Sequence, residues 1–155
     1  MKKLLILFLS VVLLSACGNA EEATEEPERK DSITNEETIG YLERLLVPYL
    51  ETTEITNEEE MYEIVGKMND TAIEVTRELK RDYEKDIHAV DDLIALADLY
   101  NGLAEEVEND NVALMSAYAD DIGSQIGKIS IDYLDGDIPD NYAEVIGVNN
   151  IYELD

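Results

Sequence analysis

The sequence predicts an all-α protein, an antiparallel bundle of three to four helices that follows a signal peptide and an acidic flexible tether. Three observations carry this. Apolar residues recur at steps of three and four over most of the chain, the period of a helix with one buried face. No stretch shows the two-residue alternation of a half-buried strand. The links between periodic stretches are short, which sets successive helices side by side and antiparallel. The chain has 155 residues and one cysteine, so an internal disulfide is excluded and the fold must rest on packing.

The chain opens with Lys2 and Lys3 and an apolar run, Leu4 to Leu14, broken only by Ser10. That run is too short to span a bilayer stably and has the layout of a secretory signal peptide. It ends in Leu14, Ser15, Ala16 and Cys17, which resembles the lipobox of bacterial lipoproteins. The resemblance covers the leader alone. It implies diacylglycerol transfer to the Cys17 sulfur and cleavage before it, so that Cys17 becomes the first mature residue. One acyl chain holds a protein only marginally; two or three would anchor it firmly. The expected location is the extracytoplasmic face of the cell membrane, or the outer membrane in a diderm host, because Gly18 and not aspartate follows the cysteine. No family resemblance extends to the rest of the chain.

Three segments follow: the signal peptide at 1–16, the lipidated cysteine with a disordered acidic tether at 17–32, and a helical domain at 33–155. The tether reads GNAEEATEEPERKDS after the cysteine, with seven charges between Glu21 and Lys30 and no apolar period. Like charges extend such a segment. In the domain, Thr34 and Glu37 have capping-box spacing and open a first helix through Ile39, Leu42, Leu45, Leu46, Tyr49 and Leu50. Pro48 is expected to stop or kink it near Leu46. Thr52 to Thr56 reads as a connector.

Thr56 and Glu59 repeat the capping spacing, and Met61, Ile64, Val65, Met68, Ala72, Val75, Leu79 and Tyr83 predict a long helix over 57–84. The apolar phase slips after Leu79, which reads as a turn near Asp86 to His88, the alternative being a stutter in one continuous helix. A third helix follows on Ala89, Leu93, Leu96, Tyr100, Leu103 and Val107, and stops in Glu108 to Asn111. Asp110 is expected to cap a fourth, whose seam Met115, Ala119, Ile122, Ile126, Ile129 and Tyr133 keeps heptad spacing. Gly136 and Pro139 end it. A short helix over 141–146 capped by Asp140 is expected next, with Val148, Ile151 and Tyr152 docking back onto the bundle.

Charge bounds the function. The full chain carries 37 acidic and 11 basic residues, a formal charge of −26. Cleavage before Cys17 would remove Lys2 and Lys3 and no acid, leaving nine basic residues and a charge of −28. Anionic lipid headgroups and nucleic acid are therefore poor partners, and a basic protein is the expected one.

Candidate sites beyond Cys17 are few. Ala119, Gly123 and Gly127 place small side chains on one ridge of the fourth helix. Each glycine costs about 1 kcal/mol there relative to alanine. Close approach of a neighbouring helix would offset that cost, and the alternative is a groove for a partner. Asp132, Asp135, Asp137 and Asp140 invite a calcium reading, but their spacing fails the EF-hand loop. His88 stands alone at the predicted turn and reads as a capping or surface residue. No serine sits in a nucleophile elbow, and no second histidine or further cysteine is present for zinc or haem. No cofactor is expected. Of nine tyrosines, Tyr49, Tyr83, Tyr100 and Tyr133 fall on or beside seams, while Tyr41, Tyr62 and Tyr152 are expected nearer the surface. The function these features favour is a membrane-anchored, non-catalytic binding module of the cell envelope. The alternatives are an inhibitor or immunity-type protein that neutralises a basic enzyme, toxin or cationic peptide, and a module that responds to divalent cations.

Overall fold

A computed structural model describes residues 28–153. The leader and Cys17 lie outside these residues. Among them the structure is all-α: α1 (Asn35–Glu51), α2 (Glu58–Asp82), α3 (His88–Glu108), α4 (Val112–Tyr133) and α5 (Asp140–Ile146), with 3₁₀ turns at Thr52–Glu54 and Ile151–Glu153. Neighbours in sequence pack together: α1 on α2, α2 on α3 and α3 on α4. The ring of four does not close, because α4 scarcely touches α1. The short α5 lies against α1, and the last 3₁₀ turn lies on α4.

Each helix boundary has a local cause. Thr34 caps α1 with a full capping box: its hydroxyl accepts from the Glu37 amide at 3.2 Å, and its own amide donates to the Glu37 carboxylate at 2.9 Å. The expected stop at Pro48 does not occur, and α1 continues to Glu51. Pro48 stands in the last turn, where a missing amide removes one helical bond, and its ring is buried beside Leu45 and Leu46. The carbonyls of Tyr49 and Leu50 are then taken by the hydroxyls of Thr52 and Thr53, at 2.6 and 2.8 Å. The second cap lies one residue later than predicted. Asn57 accepts from the Glu60 amide at 3.0 Å, while the Glu60 carboxylate accepts from the amide and hydroxyl of Thr56.

The turn between α2 and α3 falls where the phase slip put it, with Asp86 in the left-handed region at φ 68°. Asp110 does not cap α4. It takes φ 55° and ends α3 instead: its amide donates to the Val107 carbonyl and the Asn111 amide to Glu106, at 3.1 and 3.0 Å. That is a Schellman motif with aspartate where glycine is usual, a conformation aspartate tolerates better than most residues. Asn111 precedes α4 without a side-chain cap bond. Asp140 is likewise the first residue of α5, which starts on the Pro139 carbonyl.

The core is a continuous set of aliphatic side chains crossed by two aromatic pairs. Leu42, Leu45, Met68, Val75, Leu79, Leu93, Leu96, Ile122 and Ile129 are fully buried. Tyr100, also fully buried, stacks on Tyr49 with centroids 6.1 Å apart, and Tyr41 meets the edge of Tyr83 at 6.3 Å. Tyr41 is thus half-buried, not exposed, while Tyr62 and Tyr152 are exposed as expected.

The domain reaches further back than residue 33. Lys30 pairs with the end of α2: its amide donates to the Asp82 carbonyl and its carbonyl accepts from the Glu84 amide, both at 2.8 Å. Its ammonium pairs with Glu37 and sits over the Tyr83 ring at 5.2 Å. The ammonium, then the Thr34 amide, pull the Glu37 carboxyl from its ordinary 4.5 down to about 2. A depressed carboxyl stabilises the fold above its ordinary titration range and loses that contribution as pH falls through about 2. Carboxyl-detected NMR is expected to find Glu37 titrating near 2. In Lys30→Ala it should move back toward the usual glutamate value, and an unchanged titration would remove the lysine from this account.

Candidate functional site

The fourth helix carries the most unusual surface of the domain. Its inner face, Ile122, Ile126, Ile129 and Ser130, is buried against the bundle. Its first two turns, Val112 to Ala119, hold no charged residue at all. Val112 is 70% exposed and Leu114 45% exposed, and Ala113, Ala117 and Ala119 are exposed beside them. Isolated apolar residues on a surface need no explanation, but contiguous ones mark a contact surface.

The small-residue ridge Ala119, Gly123 and Gly127 runs on from the side of the helix that carries Val112, with Leu114 on the opposite side. No neighbouring helix closes on it: a Cβ built at Gly123 would meet nothing within 4 Å, and at Gly127 only the Ile151 side chain lies near, at 3.7 Å. The close approach expected at this ridge is found at Gly102 on α3, where a Cβ would collide with the Tyr118 ring. A glycine in mid-helix was the available signal, since its cost invites the same question there. Because Gly123 is helical and open, Gly123→Ala is expected to stabilise the domain by about 1 kcal/mol. Denaturant unfolding reads this directly, and a loss of stability would mean that the ridge is filled.

The charges around the face share one sign. Between Lys85 and Lys128 the chain holds ten acids and no lysine or arginine. Glu105 and Glu108 on α3, Asp110 in the turn, and Asp120 and Asp121 on α4 are exposed and none has a cationic partner among the described residues. Burial, then the neighbouring Tyr142 and the charge of Asp120, raises the Tyr49 phenol on α1.

At the far end of α4, Asp92 of α3 ties the two helices together. Its carboxylate accepts from Tyr133 Oη at 2.6 Å and Gln125 Nε2 at 3.2 Å, and pairs with Lys128. Burial opposes the charge on Asp92, yet the bonds from Lys128, Tyr133 and Gln125 hold its carboxyl below the ordinary value. Burial, then the bond to Asp92, pushes the Tyr133 phenol up. This knot fixes the orientation of α4, and so of its outer face.

The remaining candidates are not drawn together. Asp132, Asp135, Asp137 and Asp140 are all exposed, and no group of three or more possible ligands is assembled among the described residues. Asp135 takes φ 54° after α4, and Asp137 accepts from Asn150 Nδ2 at 3.0 Å, so both serve the chain reversal. Gly136, at φ 85°, is pressed against Asn150 and Tyr152, which brings the C-terminal turn back as expected. His88 is an exposed first residue of α3. A pocket of about 470 Å³ opens between α2 and α3 over Leu79, Tyr83, Val90 and Ile94. Its rim balances Arg29, Lys80 and Lys85 against Glu84, Asp86 and Asp91, so it selects no sign of charge. Among the described residues no helix is long and apolar enough to cross a membrane. Comparison with protein-family models, with curated proteins and with solved structures gives no match.

Proposed function

We propose that the chain is a lipid-anchored, extracytoplasmic binding protein that engages a basic protein partner through α4 and performs no catalysis. The observation that carries this is the charge-free, largely exposed first two turns of α4 set among unpaired acids. An apolar patch supplies affinity on burial, and one-signed charge around it steers and selects an oppositely charged partner. The leader supports the location: the lipobox-like run Leu14 to Cys17 would fix the protein to a bilayer by lipid, while an acidic domain is repelled from anionic headgroups. Tether and anchor would then present the bundle to partners without laying it on the membrane.

Two measurements test the reading. Affinity capture from the native envelope is expected to recover a basic protein at low salt and lose it at high salt, and recovery of none at low salt counts against it. Cys17→Ser is expected to shift the protein from the membrane to the soluble fraction with its thermal unfolding unchanged. Continued membrane attachment of that variant would contradict the anchor.

A further inference from the structure

Resting on the lipid-anchor reading, we infer that the domain meets the bilayer end-on. The corner formed by the end of α2, the α2–α3 turn and residues 28–30 faces the lipid headgroups, and the α3–α4 turn points away from them. The chain enters the domain at this corner. Lys30 is held to the end of α2 by backbone bonds with Asp82 and Glu84, both at 2.8 Å, so the segment that leads back to Cys17 joins the bundle here. Cys17 and Arg29 are twelve residues apart, a reach of at most about 40 Å. The cations gather at the same corner. Residues 28–30 and 77–86 hold six, Arg29, Lys30, Arg77, Lys80, Arg81 and Lys85, against five acids. The rest of the described chain holds three, Arg44, Lys67 and Lys128, against twenty-seven acids. Those three are all paired with carboxylates, whereas Arg29, Arg77, Lys80 and Lys85 are exposed and have no acidic partner among the described residues. Arg29, Lys80 and Lys85 line one pocket, so the cations of the entering segment and of the α2–α3 turn share one surface.

The tether sets which end is nearest the lipid, and charge fixes the orientation that the tether permits. Close to a surface of anionic headgroups a charged side chain feels the field within a Debye length, about 8 Å at physiological salt. Turning any other part of the domain toward that surface brings in acids with almost no cations. Turning this corner toward it brings in a balanced set, even counting Asp91 on the pocket rim. It also holds Glu105, Glu106, Glu108 and Asp110 away by up to about 30 Å, the length of the 21-residue α3. The field that pushes the acidic body off the membrane thus stands it upright on its one cation-rich corner. The exposed start of α4 follows directly on the α3–α4 turn and is thereby presented outward.

The test uses the lipidated mature protein, whose single native cysteine is acylated, so that a donor dye can be placed on one introduced thiol. His88→Cys puts the dye beside the corner and Glu108→Cys puts it at the other end of α3, both at exposed positions. Vesicles of phosphatidylcholine, with or without phosphatidylglycerol, carry an acceptor dye on their headgroups. With phosphatidylglycerol present, energy transfer from position 88 is expected to exceed that from position 108 at least about twofold, since the two lie about 30 Å apart along α3. The ratio is expected to fall in phosphatidylcholine alone. Lys80→Glu combined with Lys85→Glu reverses two exposed, unpaired charges and is expected to bring the two signals together, while thermal unfolding stays within a few degrees of the parent. Equal transfer from both positions, or more from 108, in protein that floats with the vesicles would overturn the inference and leave the anchor standing. An unchanged ratio in the charge-reversed protein would overturn it as well, because the tether alone would then set the orientation. Protein that does not float with the vesicles would overturn the anchor reading, and the inference with it.

Discussion

Leu96→Ala is expected to destabilise the domain by about 3 kcal/mol, within the range of about 2–5 kcal/mol for truncating a fully buried leucine. Leu96 has no exposed surface and belongs to α3, the helix that packs against α1, α2 and α4 together. Its removal leaves a void bordered by elements already fixed by their other contacts, so the space cannot collapse completely and the lost packing adds to the lost transfer energy. For a domain of this size the melting temperature should fall by roughly 10 °C. Ile73→Ala is the matched control. That side chain is 44% exposed on α2, so its truncation should cost no more than about 0.5–1 kcal/mol. Denaturant unfolding with unchanged slope separates the two, and equal losses would mean that the core is placed wrongly.

Asp92→Ala is expected to cost about 2–3 kcal/mol by removing the acceptor shared by Tyr133, Gln125 and Lys128. Most of this should come from the tyrosine and the glutamine. Lys128 is half-exposed and regains water when its partner is lost, so its share is small. Asp92→Asn keeps one acceptor oxygen, enough for Tyr133, but loses the charge and sets an amide donor against Gln125 and Lys128; it should still cost less than alanine. The folded-state carboxyl of Asp92 is depressed, so its contribution is complete above the ordinary aspartate range and fades as pH falls below it. The difference between parent and Asp92→Ala should shrink accordingly in acid. A difference that is constant with pH would show that the charge on Asp92 plays no part.

These two variants also divide the roles of the structure. Leu96 holds the bundle together; Asp92 holds α4 at a set angle on α3. Loosening the knot should disturb the outer face of α4 before it unfolds the domain, because α4 has little other support on its α1 side.

The helices themselves were legible in the sequence because each buries a stripe at helical spacing, and the seam residues Leu42, Leu79, Leu93 and Ile122 are all buried. The turn at Asp86 was marked by a change of phase, a signal that a stutter in one continuous helix would also give, so the pattern alone favoured the turn without deciding it. Boundaries were less so, and for local reasons. Pro48 was expected to break α1, but a proline near a helix end forfeits one bond, and burial of its ring beside Leu45 and Leu46 opposes that loss. Thr56 and Asn57 both cap well, and only coordinates show the asparagine taking the amide while the threonine holds the Glu60 carboxylate. Asp110 ends one helix where it was expected to start the next, since aspartate suits both positions. Lys30 joins the domain through a pair of backbone bonds and side-chain contacts to Glu37 and Tyr83, none of which leaves a periodic trace.

The candidate surface was legible in part. Ala119, Gly123 and Gly127 share one ridge by spacing alone, but whether a neighbour covers a ridge depends on how the bundle closes, and closure is a property of all four helices. Gly102 was passed over although it is the glycine that a side chain does approach. The apolar outer face of Val112 to Leu114 was hidden by its composition, because an uninterrupted apolar run reads equally well as core.

The claim that α4 presents an acidic-rimmed apolar face to a basic partner is tested most directly by site-specific photocrosslinking in the intact envelope. A photoreactive residue at position 114, on the face, is compared with one at position 73, an exposed site of similar accessibility on α2. The account predicts a discrete adduct with a basic protein from 114, lost at high salt, and none from 73. Adducts of equal yield from both positions, or an adduct from 73 alone, would contradict it.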